Sequence, residues 1–297
     1  MGAETARSAE RARVAVLGDL HGHLTLAYTL LRRWEVEHGE SIALILQVGD
    51  LGAFPTTDRL DRATLRFARK DPDELEFMDY HEGRGDAAEI LDPVSESPRR
   101  IDARTCFVKW NHEDFEFLEE AGGSRAPAPV DAFRRIFYMP GGSGHAVGVG
   151  RGTLSVETLG GAALEGGPGR DGASPHYTGR EARSLAAKRC DVFLTHDAPY
   201  GAVHPGAGSR DVLRPIELMR PRYHFCGHYH EEGRRLDAPD GTESHLLNEV
   251  NSHGRSRLNR GCIGMLTWGG GAAGSFELLD EPWMAGYTRE SYRRPSP

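Results

Sequence analysis

Residues 14–23 read VAVLGDLHGH, and the chain runs on as LTLAYTLLRRWEVEHGESIALILQVG over residues 24–49, with Asp50 directly after. Val14 to Leu17 is a short apolar, β-branched run stopped by Gly18, which predicts a buried strand. From Leu24 to His38 apolar residues return at helical spacing through Leu26, Leu30, Leu31 and Trp34, and Gly39 is placed to cap the helix. Ile42 to Val48 is a second apolar run ending in Gly49. Strand, helix, strand in this order predicts a βαβ unit with parallel pairing. Both strands end in a glycine followed by a carboxylate, Asp19 and Asp50.

Outward from this unit, residues 51–104 break the rhythm. They are rich in Asp, Glu and Arg and contain Pro55, Pro72, Pro93 and Pro98. They read as an insertion with one or two short helices, Asp58 to Arg69 and Asp73 to Tyr80, that covers the site as a lid or wall rather than joining the core. Strand character resumes at Thr105 to Lys109, Ile136 to Met139, Thr153 to Leu159, Asp191 to Thr195 and Tyr223 to Cys226. The glycines Gly141, Gly142 and Gly144 read as a turn, and residues 160–179 as loop. Asp114 to Glu120, Arg180 to Arg189 and Ser209 to Arg220 are helix candidates. Gly261 to Trp268 and Ser275 to Leu279 look like a hairpin. Without an internal repeat or a linker between two halves, residues 1–297 are expected to form a single α/β domain, with residues 1–12 as a disordered arm.

Five polar clusters follow predicted strands: Asp19-Leu20-His21, Gly49-Asp50, Asn111-His112-Glu113, His196-Asp197 and Gly227-His228-Tyr229-His230. In open α/β sheets ligands bind beyond the carboxyl ends of strands, so the five converge. Imidazole with carboxylate suits manganese, iron, zinc or nickel better than calcium. In extended chain, residues i and i+2 share a side, which puts Asp19 with His21 and His228 with His230. Two divalent ions bring four positive charges, and Asp19 and Asp50 cancel two. The remaining positive charge suits a phosphoryl group, and two ions about 4 Å apart can hold an attacking hydroxide and a phosphoryl oxygen in line. A lone histidine is usually a surface or satisfied core residue, and His38, His81, His145, His176, His204, His245 and His253 are read that way. Five ordered clusters after strands are much harder to obtain by chance.

The ordered set resembles the calcineurin-like metallophosphoesterases, whose pattern is D-x-H, G-D, G-N-H-[DE], H and G-H-x-H. The resemblance covers residues 14 to about 232. It implies a four-layer α/β/β/α sandwich. It further implies Asp19, His21 and His230 as ligands of one metal, Asn111, His196 and His228 as ligands of a second, Asp50 as the bridge, and His112 as the group that protonates the leaving oxygen. One departure is Trp110, where the family has glycine; either the turn is reshaped or the indole walls the pocket. Cys190 to Tyr200 and Arg222 to His230 also resemble lariat-debranching enzymes, which cut a 2′,5′-phosphodiester in RNA.

Composition limits the alternatives. The formal net charge is -8, which disfavours a nucleic-acid partner unless a local cationic site overrules it. The expected substrate is therefore a phosphorylated small molecule or nucleotide, cleaved by a metal-bridging hydroxide; the alternatives are a nucleic-acid phosphodiesterase and a non-catalytic metal-binding scaffold. A metallo-β-lactamase pattern starting at His21-Gly22-His23 fails, because Thr25 and Leu26 follow. No run approaches the roughly 18 apolar residues that span a bilayer. Cys106, Cys190, Cys226 and Cys262 form no C-x-x-C pair, which fits a reduced, cytoplasmic chain.

Overall fold

The computed structural model describes residues 11–162, 174–185, 189–252, 257–269, 274–288 and 291–293. In chain order the strands and helices are β1 (Ala12–Leu17), α1 (Leu24–His38), β2 (Ile42–Gln47), α2 (Arg62–Phe67), α3 (Phe77–Glu82), α4 (Asp86–Leu91), β3 (Arg104–Phe107), α5 (Phe115–Gly122), β4 (Ala128–Pro129), β5 (Ile136–Tyr138), β6 (Ser143–Val149), β7 (Gly152–Leu159), α6 (Gly179–Ser184), β8 (Val192–Thr195), α7 (Arg210–Met219), β9 (Tyr223–Cys226), β10 (Arg234–Leu236), β11 (Glu243–Leu246), β12 (Ile263–Trp268) and β13 (Gly274–Leu278). One sheet has the order β13-β12-β1-β2-β3-β5-β4 and the other β10-β11-β9-β8-β7-β6.

The period of two along the strands builds the layers. Val14 and Val16 of β1 and Leu44 and Leu46 of β2 face the space between the sheets. There they meet Val147, Val156, Val192, Leu194 and Phe225 of the second sheet. Ala15, Leu17 and Ile45 point the other way, onto α1 and the helices of residues 51–104. On the far side Leu159 and Phe193 pack under α6 and α7 with Val212, Ile216 and Met219. The result is a four-layer α/β/β/α sandwich, as the resemblance implies. β1, β2, β3 and β5 run parallel, as do β7, β8, β9 and β11. Their carboxyl ends gather on one edge of the molecule.

Several sequence readings change. Ala12 lies within β1 rather than in an arm, and residues 1–10 lie outside the described residues. Part of the loop read at 160–179, the end of the helix read to Arg189, and His253 fall outside them too. The glycine-rich turn at 141–144 leads straight into β6, which pairs antiparallel with β7 along its whole length. The insertion is not simply a lid: Phe77, Tyr80, Ala87, Ile90, Leu91, Ile101 and Ala103 are buried in the main core. Its Glu76 also accepts a hydrogen bond from the backbone of Thr25 at 2.8 Å, which supplies the first turn of α1 with the acceptor that its own N-cap residue, His23, does not provide. Deletion of residues 51–104 would therefore open the core and is not expected to spare folding. Among the described residues no helix is long and apolar enough to cross a membrane.

Candidate metal centre

Asp19, at the end of β1, is fully buried. Its carboxylate lies 3.1 Å from His230 Nε2 and accepts the His228 backbone N–H at 3.2 Å. Asp50, at the end of β2, is also buried, and its Oδ2 stands 3.8 Å from His21 Nε2 and 3.6 Å from His196 Nε2. His21 Nε2 and His230 Nε2 face each other at 3.4 Å. Three groups of potential ligand atoms result, each within 4.8 Å: Asp19, His21 and His230; Asp19, Asp50 and His196; and His21, Asp50 and His112.

His196 shows how its environment prepares one nitrogen. Nδ1 lies 2.8 Å from the Val48 carbonyl, so it carries the proton and donates it. Nε2 then presents its lone pair toward Asp50, and it is buried without a hydrogen-bond partner. A backbone carbonyl that fixes the tautomer in this way is the usual support of a metal-binding imidazole. Burial, together with the charges of Glu113 and Asp19, pushes the Asp50 carboxyl well above its ordinary range. A cation among these acids removes that cost, so donor set and charge both suit divalent metal.

The backbone does not follow the extended alternation read from D-x-H and H-x-H. His21, Asp50, His228 and His230 all take positive φ, at 44°, 55°, 78° and 49°. Non-glycine residues pay for that conformation and it clusters at functional sites. His228 and His230 consequently part company. His230 joins Asp19 and His21, while His228 lies against His196, with ring centres 5.3 Å apart. Gly227 does not provide a positive φ; a Cβ there would overlap Asp19 Oδ1. Gly49 does, at 109°, and a Cβ on it would press on the His196 ring.

Trp110 takes no positive φ, so the backbone at this position does not call for glycine. Its indole stacks on His196 at 4.9 Å and meets His228 edge-on at 5.0 Å, walling that side of the site. Asn111 is exposed beside it and adjoins the clusters through His112. Glu113 is buried and accepts the backbone N–H groups of Leu51 at 2.8 Å and Trp110 at 2.6 Å, tying the ends of β2 and β3 together. Burial raises its carboxyl to about 8.

His112 donates its backbone N–H to Asp50 Oδ1 at 3.0 Å, and its ring packs 4.7 Å from that of His21. Neither neighbouring acid of the motifs, Glu113 or Asp197, pairs with the His112 ring. The partner that contacts its ring is Asp61, whose Oδ2 lies 3.3 Å from Nδ1. Burial opposes the His112 charge, but Asp61 outweighs it and the pKa rises. Burial would raise Asp61 in turn, and bonds from His112 and Thr64 hold it down at about 2. Asp61 is the N-cap of α2, with Ala63 and Thr64 as its donors. Its capping position is legible in sequence; its reach to His112 is not. Asp197 instead accepts the Tyr229 hydroxyl at 3.0 Å.

The layers and the site define a two-sheet sandwich that gathers acids and histidines at the strand ends. Fold and ordered motifs are similar to those of the calcineurin-like metallophosphoesterases. No family model matches the chain. A lariat debranching enzyme of Arabidopsis thaliana is 25% identical over 258 residues, covering 73% of this chain and 54% of its own length. The chain thus spans about half of that curated relative. One solved structure superposes with a TM-score of 0.54 at 14% identity, over 91% of this chain and 100% of the other. A phosphatase from Mycoplasma pneumoniae gives a weaker TM-score of 0.44 at 8% identity, over 95% of this chain and 99% of its own.

Proposed function

We propose that the chain is a metal-dependent hydrolase of phosphomonoesters or phosphodiesters. The observation that carries this is His196 Nε2, buried without a partner, 3.6 Å from a carboxylate that burial disfavours as an anion. Asp19, His21 and His230 would hold one ion, Asn111, His196 and His228 a second, and Asp50 would face both. Two divalent ions, with manganese the first candidate, supply charge neutralisation and an activated water. The rest falls to the chain's own groups. His112, whose protonated form Asp61 favours, stands at the edge of the cluster and gives its proton to the departing oxygen. Trp110 shields His196 and His228 on one side. None of the four cysteines forms a disulfide among the described residues, which suits a reducing compartment such as the cytoplasm.

Metal analysis of protein purified without chelator, followed by an ester panel, tests the reading. The expected result is two ions per chain and hydrolysis that chelation abolishes and manganese restores. A metal content near zero that added manganese does not raise overturns it.

A further inference from the structure

Beside His112 stands a short helix whose outer surface neither the core nor the metal cluster uses. The first turn of α2 faces the site: Asp61 lies 3.3 Å from His112 Nδ1, and Thr64 Oγ1 lies 3.5 Å from the same atom. Arg62 and Arg66 are one turn apart, Arg69 and Lys70 follow in the turn that closes the helix, and all four are exposed. Arg59 pairs with Asp114. None of the other four cations is paired with an acid among the described residues. Leu65 and Phe67 are exposed on the same helix at 46% and 42%, and the Arg66 guanidinium lies 4.6 Å from the Phe67 ring centre. In a chain of net charge -8, this is a local reversal of sign next to the cluster. A second pair of this kind follows His196: Tyr200, 36% exposed, carries the Arg210 guanidinium 4.0 Å from its ring.

We propose that α2 docks single-stranded nucleic acid, with backbone phosphates on Arg62, Arg66, Arg69 and Lys70 and a base stacked on Phe67. Unpaired cations interleaved with an exposed aromatic ring are what a flexible polyanion with π-faces requires. A small phosphate needs neither the row of cations nor the ring. Thr64 turns one side of α2 to His112, and Arg62 and Arg66 line the opposite side, so a strand held there runs across the helix that borders the site. This rests on the phosphoesterase reading of that cluster, extending it to a substrate class.

Binding is measured by fluorescence anisotropy of a labelled oligothymidylate of about 12 nucleotides, within the span such surfaces cover. The full chain is used in EDTA, so the readout is independent of metal and of hydrolysis. Wild type should bind, with affinity falling as salt rises. The combined Arg62→Gln, Arg66→Gln, Arg69→Gln and Lys70→Gln variant should lose about 0.7 in the salt slope for each phosphate contact removed. Phe67→Ala should weaken binding by about tenfold. Arg183→Gln with Arg214→Gln, exposed cations on α6 and α7, should bind as wild type does. Unaltered melting temperatures separate lost contacts from lost fold. The proposal is overturned if wild type does not bind at low salt, if the α2 variants match the control, or if a mononucleotide displaces the probe as well as an oligomer does at equal nucleotide concentration. Failure of the metal analysis leaves this result standing, and the reverse also holds, so the two readings fail separately.

Discussion

His112 combines a backbone bond to Asp50 with a ring contact to Asp61, so the residue is held through its main chain and through Nδ1 next to the acids of the cluster. The proposed proton transfer from it to an alkyl leaving group can be measured. His112→Ala should keep its metal content and slow hydrolysis of alkyl esters by about 10²–10⁴. The loss should shrink for nitrophenyl esters, whose leaving group needs no proton; a loss that stays flat across leaving groups removes the donor role. On the same proposal, Asp61 sets the pH at which this donor works. Its carboxylate raises the His112 pKa, so the protonated donor persists to higher pH than an isolated imidazole would allow. Asp61→Asn removes that charge, and the alkaline limb of kcat for alkyl esters should move to lower pH. A limb that does not move would assign Asp61 to capping α2 alone. Trp110 makes the complementary point: its departure from the family's glycine marks the place where the indole becomes a wall.

At the scale of elements, the local ones were legible and the nonlocal ones were not. The bounds of α1 follow from its apolar spacing and from Gly39, which is left-handed at φ 62°. β6 reads as a turn in sequence because Gly144, Ala146 and Gly148 occupy its outward positions, so β-propensity is diluted on the face turned to solvent. The insertion misled because its average charge hid Phe77, Tyr80, Ile90 and Leu91, which are short amphipathic runs. The acids that remained, Asp73 and Glu76, are partnered by Tyr292 and Arg293 from the far end of the chain, a pairing no local signal announces. Ile90→Ala should accordingly destabilise the fold by about 2–5 kcal/mol in denaturant unfolding; a change within experimental error would return the insertion to the role of a wall. Within the second sheet, His224 is fully buried and bonded on both sides, to Thr195 Oγ1 at 2.9 Å and Ser244 Oγ at 2.8 Å. Burial lowers its pKa from 6.5 to about 3. The unfolded chain therefore binds a proton that the folded chain refuses, and this group removes stability as pH falls from about 6.5 toward about 3. The melting temperature of His224→Gln should fall less than that of wild type across this window, and parallel curves would exclude the effect.

The whole molecule brings the site together from two sheets. Asp19, Asp50 and His112 leave the first, and His196, His228 and His230 leave the second. Convergence of the five clusters was readable because strand ends in parallel sheets share an edge. How the clusters would be oriented was not, because it depends on four residues that abandon the extended backbone. Those residues have a further consequence. A left-handed backbone at His21, Asp50, His228 and His230 is strain that the fold carries at the proposed metal centre, at about 1–3 kcal/mol for each such residue. Asparagine tolerates this region better than most side chains, can still accept the His112 N–H, and brings no charge to the buried acids. Asp50→Asn should therefore lose metal and yet melt at a higher temperature than chelated wild type; a lower melting temperature would show that the turn is not under strain. Descendants of such a chain that gave up catalysis would be expected to drift toward sturdier proteins, their old active-site positions settling into residues that the backbone prefers.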